Sequence, residues 1–438
     1  MKIRPMLGTL AAAVLVVSLF GCSSSQQSSA GSNPFAGKVG GTITVLTHRT
    51  DLVGNLLPQY SKEFEKLYPG TTVIWEAVTG SGENTTRLQA GNVGDVDELP
   101  STSTSLLPTF FEPLGTRATM SKTYSSLDPF SFKNSTYGIA EFSSVLGFVY
   151  NKAVWKDAGI TATPGSTNEL VADLQKIKDK TSAIPYYTNY HDGWPLTEWN
   201  LDPGVTGQKD ASNALLRNSA PWSGDSYVKV TNRLLFDLVK KGLTEKDPTT
   251  TSWESSKSLL ASKAIGTMLL GSWAIPQMQL AAKTIGTNPA DIGFFPFPYK
   301  ASGSFHAGLT PDSAIGVPKS AKNKATAYAF VKWFIDKGSY SDDNGGVSAN
   351  RTRSVPTDGP LAAFTAAGVK YVDQDPVPAN DATRYSDLEK ASQIDLTGGT
   401  GVYLANMVDV ARGAAPGSES SYFDSLNNAW AQAISQTK

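Results

Sequence analysis

The sequence predicts an α/β fold built as more than one domain, on three observations. Gly41-Thr42-Ile43-Thr44-Val45-Leu46 is a β-branched, apolar run of strand length. Leu56, Leu57, Tyr60, Phe64 and Leu67 follow at helical spacing and stop at Pro69-Gly70, and Thr72 to Val78 is a second β-rich run. The third observation is the length of 438 residues. With the N-terminal leader set aside, roughly 400 residues remain, more than one hydrophobic core commonly serves, so two domains are expected.

Strand, helix and strand at this spacing form a βαβ unit with parallel strands and a right-handed crossover. Ligands of such sheets gather at the C-terminal ends of the strands. His48-Arg49-Thr50-Asp51, directly after the first strand, therefore occupies a candidate binding position. Ser166-Thr167-Asn168-Glu169 has the spacing of a capping box, with Leu170, Leu174 and Ile177 as the apolar stripe of the helix behind it. Further stripes run through Tyr227, Val230, Leu234 and Leu238, through Ala325 to Phe334, and through Phe423, Leu426, Trp430 and Ile434. There is no internal repeat.

The N-terminus predicts export. Lys2 and Arg4 precede an apolar stretch from Leu7 to Phe20 that is shorter than the ~20 residues of a membrane-spanning helix. It ends in Leu19-Phe20-Gly21-Cys22, where a small residue precedes the chain's one cysteine. Charge, length and exit are those of a secretory signal over residues 1–21, and the ending resembles a bacterial lipobox. The resemblance implies that the Cys22 thiol is acylated and becomes the mature N-terminus. With no second cysteine an internal disulfide is excluded, which fits an anchoring role for the lone thiol. One acyl chain holds weakly, so stable anchoring implies more than one on Cys22. Ser23 to Ser32 (SSSQQSSAGS) cannot bury enough apolar surface to offset its ordering entropy, and residues 22–39 read as a flexible tether.

Formal charge is −1 and no basic run occurs, which disfavours nucleic acid as a partner. Three histidines, His48, His191 and His306, lie far apart, with no HExxH motif and no cysteine ligand, so no metal site is expected. No nucleophile elbow or phosphate-binding loop occurs, and neither a cofactor nor a catalytic residue is implied. Nine Trp and sixteen Tyr are more than the core readily accounts for, which points to aromatic rings at a binding surface.

An ordered series of segments carries a resemblance to a known family. It runs from Gly41 to Asp51, then Tyr137-Gly138-Ile139, Val149-Tyr150-Asn151-Lys152 and Ala158-Gly159-Ile160. It continues with Ala264 to Pro276, Ile292 to Pro298, and Ile315 to Ser320 leading into the helix with Val331-Lys332-Trp333-Phe334. In this order the chain resembles the extracellular solute-binding proteins of ATP-binding-cassette sugar importers, the maltose-binding-like superfamily, over residues 40 to 435. The resemblance implies a two-lobe periplasmic-binding-protein-like fold with three interlobe crossings, near Ile139-Ala140-Glu141, near Phe305-His306-Ala307 and between Tyr340 and Asn350. The N-lobe is then residues 40–139 and 308–345, and the C-lobe residues 142–305 and 350–438. It further implies a monomer anchored to the outer face of the bacterial cytoplasmic membrane, which captures an oligosaccharide between its lobes and delivers it to the permease subunits of a transporter.

Several residues are candidates for the saccharide site. Met268-Leu269-Leu270 ends a buried strand, and Gly271-Ser272 lets the chain turn, so Trp273 stands at a strand exit. In the family the matching tryptophan is a stacking platform, and the apolar C–H face of a pyranose suits such a ring. Tyr187, Asn189, His191, Trp194 and Trp199 come from a segment dense in polar aromatics and short polar side chains, which can stack on sugar rings and bond their hydroxyls. Arg49 and Asp51 are a candidate hydroxyl-binding pair, though a surface ion pair would read the same. Asp312 and Glu141 stand beside the implied crossings. Two other functions share these features. A glycoside hydrolase needs only two carboxylates flanking the sugar, and a binding protein for a peptide, polyamine or chelated iron would use acidic or paired tyrosine groups; the tryptophan at the strand exit favours sugar.

Overall fold

The computed structural model describes residues 33–79, 81–100, 103–381, 383–396 and 401–437. The expected opening unit is present. Strands Gly41–Thr47 and Thr71–Ala77 pair in parallel, Gly41 opposite Thr71, with helix Leu57–Leu67 between them. That helix buries Leu57, Tyr60 and Phe64, the apolar positions of its stripe.

Downstream, strand Leu146–Asn151 is flanked by Thr267–Gly271 and Ile292–Pro296 and runs antiparallel to both. Helix Thr167–Lys180 starts at Ser166, whose Oγ accepts the Glu169 N–H at 3.2 Å. The Glu169 carboxylate, however, takes the N–H of Gly165 at 2.8 Å, so the reciprocal half of the expected capping box is shifted by one residue. Helices Tyr227–Lys240, Lys324–Asp336 and Glu419–Gln436 match the other apolar stripes.

Packing separates into distinct cores. One joins Val45, Phe64 and Phe142 to Ile315, Phe330, Trp333 and Tyr340, and takes residues from Ile43 to Phe142 and from Ile315 to Ala349. A second gathers Phe148, Trp199, Trp222, Tyr403 and Trp430. A third joins Val145, Val149 and Leu270 to Phe294 and Phe364. The second and third take residues from Val145 to Ala307 and from Val347 onward. Where the chain leaves the first core, Ser143–Ser144 pairs antiparallel with Thr310–Pro311, and Ser143 also bridges Val347. No helix among the described residues is long and apolar enough to cross a membrane. The leader and Cys22 lie outside the described residues.

Candidate functional site

Trp273 ends up at the boundary of two cores. It caps helix Ala274–Thr284 directly after strand Thr267–Gly271 and packs, partly buried, against both the first and the third core. Its indole folds back over Gly271: a Cβ on that glycine would lie 2.2 Å from Trp273 Nε1 and 2.5 Å from its Cδ1. Ring contact at that distance requires glycine, because a rigid indole cannot yield. Gly271→Ala is therefore expected to displace Trp273 and to weaken solute binding while secondary structure persists, as read by titration calorimetry beside circular dichroism.

Two further indoles join it. Trp194, 38% exposed, has its ring centroid 5.9 Å from that of Trp273. Trp253 lies edge-on to both, at 5.2 Å from Trp194 and 5.5 Å from Trp273. Lys257 Nζ rests 4.8 Å from the Trp253 ring centre. Trp253 escaped the sequence reading because it opens a helix behind Ser252, with no strand exit to mark it. It is held in place by Asp192, whose Oδ2 accepts the Trp253 N–H at 2.5 Å across 61 positions of sequence.

The polar side of the site comes from the first core. Arg49 donates to both oxygens of Asp51 at 2.9 and 2.8 Å, to Asn344 Oδ1 at 2.8 Å and to Tyr340 Oη at 3.5 Å. The pair is thus tied inward, not merely laid on the surface. His48 Nδ1 lies 2.7 Å from Glu98 Oε2, and its backbone N–H donates to Oε1 at 2.9 Å. That bond raises the His48 pKa above the ordinary imidazole value. Glu141 is fully buried, and burial together with the charges of Glu98 and Asp312 drives its pKa well up. Asp312 accepts the Ser313 N–H at 2.8 Å, and burial raises it too. Glu198 adds a fourth buried carboxyl, pushed to about 8 by burial and then by Asp312. Polar and aromatic sides adjoin: Gly345, next to Asn344, packs so closely on Ser272 that a Cβ there would lie 2.7 Å from the Ser272 carbonyl oxygen.

The structure thus brings Arg49, Asp51, Glu141 and Asp312 together on one side and Trp273 and Trp194 on the other. His191 stands at the margin, its side chain 62% exposed and its Nδ1 3.2 Å from Asp192. The assignment of Trp199 to the ligand surface is corrected. It is 1% exposed in the second core, and its Nε1–H donates to Tyr186 Oη at 3.0 Å. Tyr187 is also buried, its hydroxyl accepting the Ser252 N–H at 3.1 Å, and Asn189 is 1% exposed with a left-handed φ of 55°. Neither faces outward: Tyr187 packs in the third core, and Asn189 Nδ2 lies 3.6 Å from Met268 Sδ. Of the six rings between Tyr186 and Trp199, Tyr186, Tyr187 and Trp199 are buried, and His191 and Trp194 are left exposed. Among the described residues no group of three His, Cys, Asp or Glu side chains is placed to hold a metal ion.

The buried acids set the expected pH dependence of stability. Asp97 is pushed to about 8, Glu198 to about 8 and Asp202 to about 7, each chiefly by burial. Unfolded, such groups titrate near 4. Between about pH 4 and 8 the native state therefore holds protons that the unfolded state has released, and stability falls as pH rises through that window. His48 acts in the same direction, its contribution being complete below about 6.5 and lost as pH rises through its raised value. Melting temperature is expected to be lower at pH 8 than at pH 5, and Glu198→Gln to flatten that slope.

Two solved structures from Bifidobacterium animalis subsp. lactis align over nearly the whole chain. One is a binding protein of an ABC transporter in complex with mannobiose, at 29% identity and TM-score 0.76, covering 91% of this chain and 95% of that one. The other is a manno-oligosaccharide specific solute binding protein in complex with mannotriose, at 28% identity and TM-score 0.77, covering 92% and 97%. A multiple sugar-binding protein of Streptococcus mutans is 25% identical over 288 residues, 63% of this chain and 67% of that one. The family described as bacterial extracellular solute-binding protein matches residues 51–340, two-thirds of the chain, and the chain belongs to that family.

Proposed function

We propose that the protein captures an oligosaccharide between its two lobes outside the cell and passes it unchanged to the membrane subunits of an ATP-driven importer. The observation that carries this reading is the cluster of Trp194, Trp253 and Trp273 set beside Arg49, Asp51, Glu141 and Asp312. Indole faces cover the apolar C–H faces of sugar rings, while carboxyl and guanidinium groups bond the hydroxyls at their edges. Burial raises the Glu198 carboxyl to about 8, so near neutral pH it can donate as well as accept, which suits an uncharged polyol. The manno-oligosaccharide binders of similar fold support β-linked or α-linked mannosides as the first ligands to test.

The lobe division proposed is residues 40–139 with 308–345, and residues 142–305 with 350–438. The separation of the hydrophobic cores supports it. Cys22 is proposed as the lipid anchor, and Cys22→Ser is expected to release the protein from membranes into the medium; unchanged retention would remove the anchor from the account.

Titration calorimetry of residues 23–438 with mannobiose, mannotriose and a panel of mono- to hexasaccharides tests the main proposal. Saturable binding with the sugar recovered intact is the expected result. Repeated turnover to cleaved product would replace it with a glycoside hydrolase, and no saccharide binding across the panel would overturn the sugar reading.

A further inference from the structure

One carboxyl beside the indole cluster has no partner of its own. Glu198 opens the turn Glu198–Asn200, directly behind helix Trp194–Thr197. It stands one helical turn on from Trp194, so the two side chains share a face. Trp194 reaches outward from that face at 38% exposure, while Glu198 lies beneath it at 7%. Other buried acids of the fold are bonded or sealed. Glu245 takes the Thr188 N–H and hydroxyl, and Asp202 Oδ1 takes the Gly308 N–H at 2.6 Å. Both oxygens of Asp97 are closed off from solvent. Among the described residues no donor and no cation reaches the Glu198 carboxyl, and its oxygens are not closed off.

The surroundings decide its charge. The turn packs on strand Thr267–Gly271, which carries no titratable side chain, and on helix Tyr227–Lys240. On that helix Lys229, Arg233 and Asp237 pair with Glu419 and with one another. Helix Val402–Ala411, against helix Trp194–Thr197, commits Asp409 to Tyr190 and Arg412. Tyr186 lies behind, its hydroxyl taking the Trp199 N–H. From the polar side of the site Asp312 adds a negative charge, and burial followed by that charge pushes Glu198 to about 8. Near pH 7 it is a neutral acid with one O–H to donate. A buried donor left unpaired is costly, and a ligand oxygen that accepts it removes the cost.

We propose that Glu198 is a specificity residue: as the neutral acid it donates a hydrogen bond to an oxygen of the sugar unit stacked on Trp194, and capture weakens when it ionises. The ionised form has no proton to give and sets its charge against the lone pairs of that same oxygen. Uncharged saccharides are the class that fits. An anionic sugar acid would bring a further negative charge beside Asp312, whose charge already acts on Glu198.

This rests on the reading that an oligosaccharide stacks on the indoles, and it adds a pH control to that site. Titration calorimetry of wild type, E198Q and E198A at pH 7 and pH 9 tests it. The ligand is the tightest saccharide of the panel, mannotriose being tried first, and circular dichroism checks the fold at each pH. Binding needs the proton, so wild-type affinity is complete below about pH 8 and falls about tenfold between pH 7 and pH 9. E198Q keeps a donor but cannot ionise. Its two affinities are expected to agree within about twofold, whatever their absolute level. E198A is expected to bind about tenfold or more weakly than wild type at pH 7 and to lose the pH dependence as well. A merely structural Glu198 would leave wild type and E198Q with the same pH profile, and that result would overturn the proposal. So would wild-type binding that does not weaken at pH 9. Failure of wild type to bind any saccharide at either pH would instead remove the sugar reading, and this inference with it.

Discussion

Trp273→Ala is expected to weaken oligosaccharide binding by more than about thirtyfold while leaving the protein folded. A stacked aromatic face contributes ~0.5–1.5 kcal/mol beyond the area it buries, and the burial of a ring face adds a comparable or larger amount. Together these give at least about 2 kcal/mol, which is the thirtyfold change in Kd. The effect is reinforced here because Trp273 touches both Trp194 and Trp253, so its loss leaves two indoles without the ring that aligns them. Some loss of stability is expected as well, since the side chain is partly buried against two cores. Calorimetric titration together with thermal unfolding of the unliganded variant separates the two roles. Preserved affinity with a large fall in melting temperature would make Trp273 a packing residue, and the site would have to be rebuilt around Trp194 and Trp253.

Trp199→Ala is expected to do the opposite. Its ring is 1% exposed and packs against Phe148, Tyr186 and Phe297 at centroid distances of 6.1, 5.6 and 6.2 Å. Truncating a buried tryptophan costs ~3–5 kcal/mol through lost contacts and the cavity left behind. The Tyr186 hydroxyl, itself buried, also loses the indole N–H that donates to it, which adds the cost of a lost buried hydrogen bond. A fall in melting temperature on the order of 10 °C follows for a domain of this size. Affinity measured on the folded fraction is expected to remain near that of wild type. A selective loss of affinity without destabilisation would return Trp199 to the binding surface.

These two tryptophans show where reading the sequence succeeds and where it stops. The opening strand, helix and strand were legible because apolar period and the Pro69-Gly70 stop are local, and each is decided within a few residues. Trp273 was legible for the same reason: Gly271-Ser272 ends a buried strand, and whatever follows must stand at its exit. The ordered family segments then supplied the architecture as a whole, and the family match bears out that resemblance.

What local pattern could not decide was which rings of the segment Tyr186 to Trp199 face outward. Composition says that rings and polar groups are abundant there; the direction of each depends on what packs behind it. Trp199 turned inward because Phe148, from a distant strand, and Phe297, just past the end of another, complete a pocket for it. Trp253 joined the candidate cluster of Trp194 and Trp273 with its backbone held by Asp192 from 61 positions away. Glu98 and Glu198 joined Glu141 and Asp312 only when chain segments far apart in sequence converged. Ser126 and Asp373, 247 positions apart, have no signature of contact in either neighbourhood. Sequence fixes periodicity, turns and caps, because these are short-range consequences of backbone sterics and burial. Which side chains share a cleft, and which charges raise one another's pKa, is settled by distance in space, and that only the folded chain determines.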